Sequence, residues 1–131
     1  MKSFTLPAGR YYVGCPLYLM THDQYDRLLH NTNFFGVRDD PNDWGGVFID
    51  SETGLAFGVI PTASFYNGYK SNIYREFMSD DGSFAIIPEM MLVEDRVDGF
   101  YFFQTRKPIH CYNDNGTLVF GELKIYTAVE E

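Results

Sequence analysis

The sequence predicts a mainly β fold, α+β by content: a curled antiparallel sheet, or a small barrel or sandwich, with one short capped helix near residues 21–31. The chain holds 12 Phe and 10 Tyr in 131 residues, and aromatic rings pack well on a pleated sheet. Turn-forming clusters recur at near-regular spacing, which is typical of short antiparallel strands. Only one segment has a clear helical period. The length fits a single domain over residues 1–131.

The first strands surround a proline. Residues 3–6 and 9–13 are expected to form a strand pair or one kinked strand, because Pro7 cannot donate a hydrogen bond to a ladder. Strand character is expected to resume at residues 17–19, after Pro16. This opening segment therefore predicts fold and not chemistry.

The predicted helix begins at Thr21. Its hydroxyl can cap the first turn while Gln24 reaches back three residues, which gives a capping box. Tyr25, Leu28 and Leu29 follow at helical spacing and form one apolar stripe. The helix is expected to end near Asn31.

Turn-forming residues divide the rest of the chain into short strands. Asn67-Gly68 is the strongest short hairpin signal, and we expect it to join residues 63–66 to residues 69–74. Residues 88–93 either open a helical turn at Pro88 or end the sheet. The other predicted strands are 46–50, 55–60, 75–78, 83–87, 99–104, 110–112, 117–120 and 122–129.

Composition excludes several classes of function. Ten basic and eighteen acidic residues give a net charge of −8, so the average field repels nucleic acid and we expect no direct DNA or RNA binding. No run of 18 apolar residues occurs, so we expect no membrane span and a cytoplasmic protein.

Catalytic and metal-binding patterns are weak. Cys111 is adjacent to His110 in sequence, but neighbouring residues on a strand point to opposite faces, so these two cannot act as a nucleophile and its base. A catalytic Cys–His pair would instead require that the fold bring Cys15 close to His110. Cys15 and Cys111 are either a disulfide or two buried thiols. His22 and His30 are about 12 Å apart on a helix, too far to share an ion. We therefore expect no catalytic residue, metal or cofactor.

The segments at residues 6–18 and 58–94 resemble a protein family. Small, uncharacterised bacterial and phage proteins begin Leu-Pro-x-Gly-x-Tyr-Tyr-Ile-Gly-Asp-Pro-Cys-Tyr-Val. They later hold a Gly-Asp-Gly-x-Tyr turn, followed by an acidic-Gly turn and a small apolar strand that closes with Val-Pro-x-x-Leu. This chain departs from their pattern at Cys15 and Leu17, where the family has Asp and Cys. The resemblance implies a phage or mobile-element origin and no known activity. It rests on Leu6, Pro7, Gly9, Tyr11, Tyr12, Gly14, Pro16, Tyr18 and residues 66–69 and 81–88.

Residues 31–44 suggest the leading functional hypothesis. They lack a period, are rich in turn formers and are expected to form a long loop, a class of segment that often carries function. We expect a non-enzymatic inhibitor or adaptor of phage type that binds a host protein in the host cytoplasm, with evasion of antiviral defence as one role. Its expected contact residues are Asp39, Asp40, Asp43, Trp44, Tyr66 and Tyr69.

The alternative hypothesis is a pocket for a nucleotide or another small ligand. In that case, Tyr or Phe rings stack on a base while basic side chains meet the anion. The expected anion-binding residues are Arg10, Arg75, Arg106 and Lys107. A hydrolytic enzyme is the third and least favoured hypothesis.

Overall fold

The computed structural model describes residues 3–32, 45–62, 66–80, 82–92 and 101–127, without the side chains of residues 31, 32, 66 and 67. In these ranges, helices α1 (Pro16–Leu19) and α2 (His22–Thr32) and a 3-10 turn (Glu89–Met91) accompany eleven strands. The strands β1 to β11 are, in chain order, Ser3–Leu6, Gly9–Gly14, Gly46–Ile49, Ala56–Pro61, Tyr66–Ser71, Glu76–Ser79, Ser83–Pro88, Tyr101–Thr105, Ile109–Asp114, Thr117–Phe120 and Leu123–Tyr126.

The strands form two antiparallel sheets. Sheet A has the order β1-β9-β10-β11-β5-β6, and sheet B has the order β3-β4-β7-β2-β8. Within the described residues neither sheet closes, because each has two end strands that pair on one side only. The predicted antiparallel fold with a short capped helix is confirmed in its sandwich form, and the barrel alternative is wrong. The chain crosses between the sheets after β1, β4, β6 and β8.

Sheet B lies between two hydrophobic layers. On the central strand β7, Phe84 and Ile86 belong to the core shared with sheet A. Ala85 and Ile87 point the other way, into the cluster that contains residues of α1 and α2. All four side chains are fully buried, as expected of a continuous apolar run covered on both faces. Each of the larger ones contributes about 1.5–3 kcal/mol of hydrophobic stabilisation.

The N-terminal segment builds a corner of this core. Tyr11 is buried and its hydroxyl donates a hydrogen bond to the carbonyl oxygen of Pro7 at 2.7 Å, while burial raises the pKa of the phenol. The predicted strand at residues 17–19 is wrong. Proline is well suited to the first helical position, and Pro16 opens the single turn α1, which closes with a bond from the Met20 N–H to the Pro16 carbonyl.

Helix α2 begins as the capping box predicts. The Gln24 N–H donates to the Thr21 hydroxyl at 3.2 Å, and the Thr21 N–H donates to the Gln24 side-chain oxygen at 3.0 Å. Leu28 is buried, and Tyr25 and Leu29 pack against the same cluster on sheet B. No helix in the described ranges is long and apolar enough to cross a bilayer.

A buried ion pair fixes α2 to the β3–β4 turn. The Arg27 guanidinium donates two hydrogen bonds to the Asp50 carboxylate, at 2.7 and 3.1 Å. The Thr53 N–H and hydroxyl donate two more, at 3.1 and 2.8 Å. The side chain of Asp50 is only 2% exposed, so these four donors replace its hydration. Hydrogen bonds from Arg27, the largest influence, hold the pKa of Asp50 below its usual value.

The predicted Asn67-Gly68 hairpin is wrong. Strand β5 runs through both residues as a bulge, with Gly68 at φ 112° and a register shift between Asn67 and Tyr69. The chain reverses later, between Ser71 and Glu76. Ser71 makes this turn possible because its hydroxyl accepts from the Arg75 N–H at 3.3 Å and donates to the Arg75 carbonyl at 2.8 Å.

We predict that Asp50→Asn lowers the free energy of unfolding by about 2 kcal/mol, because it leaves Arg27 without its charge partner. This loss is smaller than for a fully buried pair, since the Arg27 side chain is 22% exposed. Denaturant unfolding at pH 7 measures it.

The same pair predicts a pH dependence. The folded pKa of Asp50 lies below the unfolded value of about 3.9, so its stabilisation is present above that pH and is lost as the pH falls through the folded pKa. The difference in stability between the wild type and Asp50→Asn should therefore narrow below about pH 4. A difference that stays constant from pH 7 to pH 2 would contradict this assignment.

Candidate functional site

A cleft opens along one edge of the sandwich, where β8 ends sheet B. Its volume is about 830 Å³, within the range of small-molecule sites. Residues 101–109, which comprise β8, the crossing to sheet A and the start of β9, form one wall. The opposite wall comes from two turns of sheet A, at residues 72–73 and 121–123.

Apolar side chains line the inner part of the cleft. Tyr101 and Phe103 are half-buried on the inward face of β8, and their rings are nearly parallel, with centroids 6.0 Å apart. Phe103 also lies 6.3 Å from the ring of Tyr11 in the core. Ile109 and Leu123 also line the cleft and belong to the buried core against which both rings pack. The cleft therefore offers aromatic faces that the core holds in place.

Two basic side chains border the cleft at the crossing between the sheets. The Thr105 hydroxyl accepts from the Lys107 N–H at 3.1 Å and donates to the Lys107 carbonyl at 3.0 Å, which shapes the turn that carries Arg106 and Lys107. Both basic side chains are exposed, and neither forms an ion pair with a described residue. Glu122 contributes a carboxylate to the lining, so the two cations exceed the negative charge there.

The side chain of Asn72 holds the opposite wall together. Its amide nitrogen donates to the Glu122 carbonyl at 2.8 Å, and its oxygen accepts from the Lys124 N–H at 2.9 Å. These bonds join the turn after β5 to the turn before β11. The cleft is therefore preformed on both sides.

The structure brings together only part of the predicted anion-binding set. Arg106 and Lys107 line the cleft, whereas Arg75 does not. Arg10 lies on β2, where it forms an ion pair with Glu89 at 2.9 Å and stacks over Phe102 with 5.0 Å between the guanidinium carbon and the ring centroid. Phe102 also lines the cleft, whereas Arg10 does not, so Arg10 is linked to the cleft only by its stacking on this ring.

The predicted partner-binding set has one correction. Tyr69 was expected to offer an exposed ring, but it is 2% exposed and packs edge-on against Phe84 with centroids 5.8 Å apart. The bulge at Gly68 explains this orientation, since it shifts the register of β5. The side chain of Tyr66 lies outside the described part of the structure, as do Asp39, Asp40, Asp43 and Trp44.

The cysteines and histidines are placed apart. His110 is exposed on sheet A, with Nδ1 3.2 Å from the Thr5 hydroxyl oxygen, whereas Cys111 is fully buried, so the predicted opposite orientations are confirmed. Cys15 follows β2 of the other sheet and is buried, it is not disulfide-bonded to Cys111, and its sulfur accepts from the Asp80 N–H at 3.4 Å. No group of three or more metal-ligating side chains occurs among the described residues.

Comparisons with known proteins add no further assignment. No protein-family model, curated protein or solved structure matches the chain. The resemblance to small phage and bacterial proteins therefore remains a prediction.

Sequence reasoning missed the cleft as a unit. Tyr101 and Phe103 share one face of β8, as the two-residue period of the predicted strand at residues 99–104 requires, and Arg106 and Lys107 were selected for their charge. The role of Asn72 could not be predicted, because it depends on the turn after β5, whereas the sequence pattern predicts a turn at Asn67-Gly68.

We predict that both cysteines resist thiol reagents in the native protein and react after denaturation. Each side chain is at most 1% exposed, and burial raises the pKa of Cys111 to about 12, which suppresses the reactive thiolate. Titration with a chromogenic disulfide reagent at pH 8 measures this. Fast reaction of either thiol in the folded protein would contradict the described packing.

Proposed function

We propose that the protein is a non-enzymatic binding protein whose cleft beside β8 takes a small anionic ligand with a planar ring, such as a nucleotide. The observation that carries the proposal is the placement of Arg106 and Lys107 in one cleft with Tyr101 and Phe103. Aromatic faces bind planar rings by stacking, and basic side chains bind phosphate or carboxylate groups.

The polar side chains of the cleft support a role for the cleft in ligand binding. Asn72 and Thr105 use their side chains to fix the backbone of the two walls, so they serve the shape of the site. Arg106 and Lys107 then provide positive charge, and Gln104 and Glu122 provide additional hydrogen-bonding groups. A preformed cleft of this kind binds with little cost of reorganisation.

The charge distribution is compatible with an anionic ligand. The described residues contain seven basic and nine acidic side chains, whereas the remaining residues contain three basic and nine acidic ones. Most of the net charge of −8 therefore belongs to residues outside the described ranges. The local excess of cations at the cleft is consistent with anion binding despite the acidic composition.

The same distribution favours a second function, which we propose as an alternative: an inhibitor or adaptor of phage type that binds a host protein in the cytoplasm through its acid-rich segments. Asp39, Asp40 and Asp43 lie in one of them. Capture of one stoichiometric protein from host lysate should weaken with salt and in the triple Asp→Asn variant at these positions. Equal capture by this variant would remove this acidic segment from the proposal.

We predict that nucleoside 5′-monophosphates raise the thermal stability of the protein. A ligand at a hundredfold its dissociation constant adds about 2.7 kcal/mol of stability. The double variant Arg106→Ala/Lys107→Ala should weaken binding at least tenfold in isothermal titration, because each charge-assisted hydrogen bond to an anion contributes about 1.5–3 kcal/mol.

Lys124→Ala provides a matched control. Lys124 is an exposed cation on β11 that does not line the cleft, so its removal changes the net charge without changing the site. It should bind the nucleotides as the wild type does. An equal loss in this control and the double variant would indicate a nonspecific charge effect and would contradict the proposed site.

A further inference from the structure

The turn after β5 holds a tyrosine in an unfavourable conformation. Tyr74 has φ 57°, in the left-handed region, where a bulky side chain crowds its own backbone. Its relative exposure is 103%, so the ring gains no packing energy within the described structure. Glycine or asparagine would occupy this position at lower conformational cost.

Neighbouring side chains impose this conformation. The Ser71 hydroxyl accepts hydrogen bonds from the Ile73 N–H at 3.4 Å and the Arg75 N–H at 3.3 Å, and the Tyr74 N–H donates to the Ser71 carbonyl at 3.3 Å. Asn72 anchors the same turn to residues Glu122 and Lys124. The turn would therefore keep its shape if residue 74 were replaced by a residue that tolerates positive φ.

The position of the turn suggests why a tyrosine stands there. Asn72 and Ile73 line the cleft, and Tyr74 is the next residue along the chain. We infer that Tyr74 is a specificity-determining residue that stacks on the planar ring of the bound ligand. This inference rests on the proposed anion-binding function of the cleft and assigns ring recognition to a residue outside the lining.

Stacking on a ligand ring accounts both for the strained backbone of Tyr74 and for the exposure of its side chain. A rigid aromatic side chain provides contact area at low entropic cost, because it has only two rotatable side-chain bonds. Conformational strain that gives no stability is typical of positions retained for binding. Arg106 and Lys107 would then select the anion, whereas Tyr74 would select ligands that contain a ring.

The test compares Tyr74→Asn with the wild type, using nucleoside 5′-monophosphates and inorganic phosphate as probes. Asparagine tolerates the left-handed region, so the melting temperature should rise by about 2–5 °C while nucleotide affinity falls about tenfold. Phosphate has no ring, so its affinity should not change. Tyr74→Phe retains the ring and should bind nucleotides as the wild type does.

Asn115→Gly is the matched control. Asn115 is also a non-glycine residue in the left-handed region, at φ 49°, but it lies in the turn between β9 and β10 and does not line the cleft. This variant should retain nucleotide affinity.

The outcomes separate the two claims. Unchanged nucleotide affinity in Tyr74→Asn, or an equal loss of affinity for phosphate, would overturn the stacking role of Tyr74 and would leave the proposed function of the cleft standing. If no nucleotide binds the wild type, the proposed function fails and this inference fails with it.

Discussion

Both hydrophobic layers of the molecule pack against β7, which is buried from Ser83 to Ile87. Because Phe84 and Ile86 face sheet A while Ala85 and Ile87 face the helical layer, both faces of sheet B are covered near its centre. Replacing these apolar residues of β7 by polar ones would disrupt the hydrophobic clusters on both faces of sheet B. Among the described residues, β8 is an end strand of sheet B, and the cleft opens beside it.

The cleft follows from the way the chain leaves that edge. After β8, residues 106–108 cross to sheet A, and the crossing carries two cations next to the aromatic face of the strand. Sheet A provides the facing wall through turns that Asn72 joins by side-chain hydrogen bonds. The site is therefore assembled from three distant parts of the sequence on a core that keeps them in register.

This assembly explains what the sequence could and could not predict. Local signals succeeded: the Thr21–Gln24 capping box and the alternation along β8 depend on neighbouring residues. Asn67-Gly68 failed because the same residues fit a bulge as well as a turn, and long-range pairing with β11 and β6 decides between them. Pro16 failed because it is compatible with both a strand break and a helix start. The contact between Asn72 and the β10–β11 turn has no local signal at all.

We propose that the edge beside β8 is the binding surface. An amide chemical-shift titration of the isotope-labelled protein with a nucleoside 5′-monophosphate tests this proposal. Saturable shifts should be concentrated at residues 72–74, 101–109 and 121–123, with little change on the outer face of sheet A, at exposed residues such as Thr5 and Tyr126. Shifts confined to that outer face of sheet A, or no saturable shifts at millimolar nucleotide, would show that this edge is not a nucleotide-binding surface.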